Sequence, residues 1–229
     1  MKPIAIVGDV HGDVMALQRM LSRLEGLRHP VLFVGDYIDG ADRSDAVLDE
    51  LCERKAADPV RWQFLAGNHD LALLEYLRGG DFAAFARLGG VSTLRSYLSD
   101  VQGDVRAAFQ SRFPGRHRRF LETLAPYHEE DGLFVSHTGF APDRPTGRSF
   151  DALTRFGGHR VFDSVGPQEL VVCGHYLQRC GKPYVSEHFI CIDTGCGIAG
   201  GPLTAVLLPE RHFVSVNSSP KINHESHVV

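Results

Sequence analysis

The sequence predicts an α/β fold, a parallel or mixed sheet covered by helices, on three observations. Short apolar runs alternate with amphipathic stretches through residues 4–65, residues 70–127 carry helical periods without a strand candidate, and strand-like runs return between residues 133 and 216. At 229 residues, 43% hydrophobic and 23% charged, the chain can bury one full core. We therefore expect one domain over residues 1–216, with a helical insert at 70–127 and a polar, aperiodic tail at 217–229.

The elements follow in order. Ile4 to Val7 is an apolar run of strand length, and Leu17, Met20, Leu21 and Leu24 then recur at helical spacing. Val31 to Val34 is a second strand. Ser44 is a plausible N-cap for a helix that turns Val47, Leu48 and Leu51 inward, and Val60 to Leu65 is a third strand. Asp13 and Asp70 read as caps of the helices that follow them. After the helical stretch, strand composition recurs at residues 133–135, 170–173, 189–192, 203–208 and 213–216.

Composition narrows the function classes. A net charge of -4 with no long basic stretch argues against a nucleic-acid partner. The N-terminal apolar run turns polar at Gly8-Asp9, too early for a signal peptide or a membrane span, so a cytoplasmic protein with no membrane partner is expected. The five cysteines lack paired knuckle spacing and read as reduced, mostly buried thiols.

Side chains that bind metals sit just after predicted strands, five times over. The first three strands end in Gly8-Asp9-Val10-His11-Gly12, Gly35-Asp36-Tyr37-Ile38-Asp39 and Gly67-Asn68-His69-Asp70, and two later ones in Ser136-His137 and Gly174-His175. Each segment alone is explicable as a turn or a satisfied core histidine. Together they point to one crevice beyond the carboxyl ends of the strands. Carboxylates, imidazoles and one amide oxygen without thiolates suit manganese first, with iron, zinc or magnesium as the other divalent candidates. A bridging carboxylate lets such a set hold two cations and generate a bridging hydroxide near neutral pH.

In order and spacing, GDVHG at 8–12, GDYID at 35–39, GNHD at 67–70, SHTG at 136–139 and GHY at 174–176 resemble the signature blocks of the calcineurin-like metallophosphoesterases, particularly bacterial phosphoprotein phosphatases. The stretch from Gly89 to Tyr97 is similar to a segment of bacterial serine/threonine phosphatases, and the segments 192–196 and 201–205 to their C-terminal block. The resemblance implies a four-layer αββα sandwich with the metals at the edge between two mixed sheets. It implies that Asp9 and His11 bind one metal, that Asp36 bridges, and that Asn68, His137 and His175 bind the other. It further implies His69 as the general acid and Asp39 as the carboxylate that orients it.

The family's second block ends in an arginine that grips phosphate, and here Gly40 stands in its place. Arg43 is the nearest substitute, reaching back to the phosphate or pairing with Asp42 on the surface. For the second phosphate arginine, Arg155 is favoured among Arg144, Arg148, Arg155 and Arg160. The implied activity is phosphate monoester hydrolysis, with a phosphoserine or phosphothreonine protein as first expected substrate. GNHDLALL and DTGC also resemble bacterial diadenosine tetraphosphatases, which makes a nucleotide substrate the alternative. A third reading is a scaffold that binds phosphorylated partners without turnover.

Overall fold

The computed structural model describes residues 1–100, 102–139, 149–155 and 169–219. Strands β1 (Ile4–Val7), β2 (Val31–Phe33) and β3 (Trp62–Phe64) run parallel, joined by α1 (Val14–Leu24) and α2 (Ser44–Ala57). Helices α3 (Asn68–Leu77), α4 (Phe82–Arg87), α5 (Gly90–Tyr97), α6 (Val105–Arg112) and α7 (Gly115–Glu122) follow. The chain then forms β4 (Tyr127–Glu130), β5 (Leu133–Ser136), α8 (Phe150–Thr154), β6 (Leu170–Cys173), β7 (Tyr184–Val185), β8 (Phe189–Cys191), β9 (Leu203–Leu208) and β10 (His212–Val216). Among the described residues these strands make two mixed five-stranded sheets, ordered β10-β9-β1-β2-β3 and β4-β5-β6-β8-β7.

Alternation along the strands builds the layers. In β1, Ile4 and Ile6 point one way, into an apolar layer with Leu32, Val135, Val172 and Ile190 that lies between the sheets. Ala5 and Val7 point the other way, packing with Leu17, Leu21, Leu48 and Leu51 of the covering helices. On the far face of the second sheet, Phe134, Val171 and Phe189 pack with Leu153 of α8. The order is therefore helices, sheet, sheet, helix, the αββα sandwich. Strands buried on both faces give up the polar alternation of a solvated sheet, which is why β1, β5 and β6 read as continuous apolar runs.

Several boundaries move. Val60 is 77% exposed and sits in a turn where the Asp58 carboxylate accepts from the backbone N–H groups of Val60 and Arg61, so the third strand starts two residues later than the apolar pattern suggests. Ser44 opens α2 as its first residue, and its hydroxyl accepts from Asp39 N instead of capping the helix. Asp13 does cap α1, accepting from Ala16 N. Strands β4 and β7 carry polar or exposed residues and had no apolar run to announce them. Of the tail, Ser218 donates to Asp13, and residues 220–229 lie outside the described part. Cys173, Cys191 and Cys196 are buried free thiols, whereas Cys180 is exposed. Among the described residues no helix is long and apolar enough to cross a membrane.

Candidate metal centre

Two loops of the first sheet lock together before any side chain is considered. Val10 N and His11 N both donate to Asp36 O, Gly12 N donates to Tyr37 O, and Ala41 N donates to His11 O. The pattern forces unusual backbone: His11, Asp36, Asp39 and His175 all lie at positive φ, between 46° and 67°. Each such residue costs on the order of 1 kcal/mol and persists only where its surroundings hold it. Here the holders are visible. Asp70 accepts from Asp36 N at 2.8 Å and Tyr37 N at 3.1 Å, and Asp9 accepts from His175 N at 3.0 Å. Gly174 is needed for that last approach, because a Cβ there would stand 1.9 Å from Asp9 Oδ1.

The side chains then converge. Asp36 Oδ1 accepts from His69 N in the first turn of α3, while Oδ2 faces His137 Nε2 at 3.2 Å and His11 and His69 Nε2 at 3.8 Å each. Asn68 Oδ1 stands 3.0 Å from His137 Nε2 and 2.9 Å from His175 Nδ1. His11 Nδ1 is paired with the carbonyl of Ile38 and His137 Nδ1 with that of Val34, which fixes the protons there and leaves both Nε2 lone pairs aimed inward. Two clusters of donor atoms result, each within 4.8 Å: His11, Asp36 and His69, and Asp36, His137 and His175. Asp36 belongs to both. Asp9 Oδ1 is buried close by with no hydrogen-bond partner, as a carboxylate oxygen reserved for a cation would be.

Electrostatics agree with that fit. Burial lowers His11 and His175 to about 4, so both imidazoles are neutral at pH 7, the form in which a histidine can bind a cation. Burial raises the Asp9 carboxyl well above its ordinary range, with Asp193 and Asp36 adding to it, and raises Asp70 to about 7 and Asp193 to about 6. Burial opposes ionisation of Asp36 too, but the imidazoles of His137, His69 and His11 outweigh it. His69 differs from the rest. Burial works against its charge, yet Asp36 and the hydrogen bond from Nδ1 to Asp39 Oδ2, 2.8 Å, raise it to about 9. Asp39 is in turn held by the Thr93 hydroxyl, which donates to Oδ1 at 2.6 Å and accepts from Asp39 N at 3.0 Å.

A pH dependence follows for the metal-free protein. His69 is raised above its ordinary 6.5, and Asp70 and Asp9 are raised as well, so between pH 6.5 and about 9 the folded state binds more protons than the unfolded chain. Stability contributed below pH 6.5 is then lost as pH rises through 9. The urea midpoint of chelated protein is expected to be lower at pH 9 than at pH 6.5, and an equal or higher midpoint contradicts the assignment.

The structure brings Asp9, His11, Asp36, Asp39, Asn68, His69, His137 and His175 together; Arg43 stands apart from them, whereas Arg155 lines the same cavity as Asn68. Arg43 does not reach back: its side chain is 59% exposed and pairs with Asp45, not with Asp42. Arg43→Ala is expected to change stability by less than about 1 kcal/mol and to leave inhibition by inorganic phosphate unchanged. Arg155 pairs with Glu75 of α3 at 2.7 Å. Arg144, Arg148 and Arg160 lie outside the described residues. Gly40 itself has φ +77°, and a Cβ there would stand 2.6 Å from Ile198 Cγ2 and 3.0 Å from Gly197 O. Gly40→Arg is therefore expected to lower stability by more than about 1 kcal/mol in a denaturation experiment, without strengthening phosphate inhibition.

Three residues of the site escaped the sequence reading. Asp70 reaches further than a helix cap: besides Gly67 N at the start of α3 it holds Asp36 N and Tyr37 N, so one carboxylate ties two ligand loops together. Thr93 and Asp193 sit in segments whose resemblance was noted, but no spacing in the sequence tells that either faces the site.

Comparisons with known proteins come to the same place. The profile of the calcineurin-like phosphoesterase family matches residues 2–179. An asymmetrical bis(5'-nucleosyl)-tetraphosphatase, PrpE of Halalkalibacterium halodurans, is 26% identical over 245 residues that cover 93% of each chain. A PP2A-like serine/threonine-protein phosphatase of Saccharomyces cerevisiae is 28% identical over 102 residues, 43% of this chain and 27% of that protein. Among solved structures, a protein serine/threonine phosphatase from Saccharomyces cerevisiae superposes with a TM-score of 0.66 at 14% identity, covering 96% of this chain and 81% of the other. With the sandwich, the ligand geometry and a profile that spans most of the sequence in agreement, the chain belongs to the calcineurin-like phosphoesterases.

Proposed function

We propose that the protein is a metal-dependent hydrolase of bis(5'-nucleosyl) tetraphosphates. The observation that carries this reading is the match to PrpE along 93% of both chains, against 43% of this chain for the protein phosphatase relative. Asp9 and His11 would hold one divalent cation, Asn68, His137 and His175 a second, and Asp36 both, a donor set suited to manganese. When bound, such a pair supplies an ionised water as nucleophile and neutralises the phosphoryl oxygens. The chain's own part is to position and to move a proton. His69, whose Nδ1 is committed to Asp39, would carry a proton on the Nε2 that faces the cluster and donate it to the departing oxygen. Asp39 accepts from its Nδ1–H and fixes the ring.

A second reading, hydrolysis of phosphoserine or phosphothreonine in proteins, is favoured by the segment from Gly89 to Tyr97, which as α5 supplies Thr93 to Asp39. Manganese-loaded protein on diadenosine tetraphosphate, a phosphoserine peptide and a phosphotyrosine peptide at matched concentrations decides between them. The highest kcat/KM is expected on the dinucleotide. A higher value on the phosphoserine peptide overturns the proposal in favour of the second reading, and no turnover on any of them leaves the scaffold.

A further inference from the structure

A cavity of about 250 Å³ opens beside the metal centre, and Asn68 lines it. One wall is a single face of α3, formed by Asn68, Ala72, Glu75 and Tyr76 at helical spacing. The other is the face of α4 that carries Ala84, Phe85 and Leu88. The space exists because alanines, Ala72 and Ala84, stand where larger side chains would fill the gap between the two helices. Tyr76 and Phe85, each 2% exposed and stacked with centroids 5.0 Å apart, form the floor. The α3–α4 turn adds Gly80 and Asp81 to the lining, and the Arg155–Glu75 pair borders it.

We infer that this cleft receives the nucleoside moiety of the substrate whose phosphates lie at the metals, an inference that rests on the function proposed above. Its lining suits a purine nucleoside. Apolar walls take a flat ring, the Glu75 carboxylate offers an acceptor to an exocyclic amino group, and the planar Arg155 guanidinium can stack on a base or meet an adjacent phosphate.

Ala84 is exposed and takes no part in the metal centre, so Ala84→Phe tests the cleft by filling it. For the manganese-loaded variant the KM for diadenosine tetraphosphate is expected to rise about tenfold or more, the worth of about 1.4 kcal/mol. Both kinetic constants for an aryl phosphate, which has no nucleoside, should stay at parental values and report an intact fold and centre. Saturation-transfer NMR with adenosine alone should show contact with the parent and none with the variant. An unchanged KM for the dinucleotide, an equal loss on both substrates, or a raised KM on a phosphoserine peptide in place of the dinucleotide overturns the inference. A parent that does not turn over the dinucleotide at all fails the proposed function instead; adenosine bound by the parent and lost in Ala84→Phe then still supports a nucleoside cleft, and no contact with the parent overturns that too.

Discussion

His69→Ala is expected to lower turnover by about 10²- to 10⁴-fold on a substrate with a poor leaving group, while two metal equivalents stay bound. The reasoning is geometric. The ring's Nδ1 is committed to Asp39 at 2.8 Å, which supports the imidazolium that the proton donation requires and leaves Nε2 as the donor. The loss should shrink on an activated aryl phosphate, whose phenolate departs with little help, and be intermediate on a dinucleotide, where a phosphate group departs. Metal analysis beside the kinetics gives the decision. Because His69 Nε2 shares the 4.8 Å cluster of His11 and Asp36, a fall in metal content that tracks the fall in activity would move His69 into the ligand set.

Asp36→Asn should have the other large effect, and on a different quantity. Asp36 is the one residue common to both donor clusters, and its Oδ2 faces three imidazoles. Losing the charge between two cations is expected to remove bound metal and to reduce hydrolysis by about 10²-fold or more, with thorough chelation of the parent giving the same result. Activity that survives chelation undiminished would sink the assignment of the whole centre. Chelation should also lower the melting temperature of the parent, since a cation that binds only the folded state stabilises it by mass action, and should hardly move that of Asp36→Asn.

The sheets were legible because their strands bury both faces: β1 and β6 are apolar at every position and β5 at all but its last, Ser136, a signal that survives without knowledge of partners. β4 was not, since Tyr127, His128, Glu129 and Glu130 form a strand with only His128 and Glu130 partly covered, and only pairing with β5 keeps it extended. The site divides along the same line. Asp9, His11, Asp36, Asn68, His137 and His175 stand directly after strands, where the α/β rule already points. Thr93 reaches Asp39 across 54 positions of sequence, and Asp70 reaches Asp36 across 34. Those contacts depend on how α3 and α5 pack over the sheet, which no local pattern encodes. Arg43 pairs instead with Asp45, two residues away, a local partner that the sequence reading passed over for Asp42.

The converging loops have a mechanical meaning. Asp9, His11, Asp36 and Asn68 follow strands of the first sheet, whereas His137 and His175 follow β5 and β6 of the second, and the buried layer between the sheets is aliphatic, with Phe213 partly buried against it. Such a layer adheres without direction, so at the edge where the loops emerge the two halves are fastened by a few directed bonds, His175 N to Asp9 and His137 Nδ1 to the carbonyl of Val34. A pair of cations gripped from both sides would act there as a rivet. Amide hydrogens of β5 and β6 should then exchange more slowly in loaded protein than in chelated protein, whereas those of β9 and β10, at the other side of the first sheet, should be nearly indifferent.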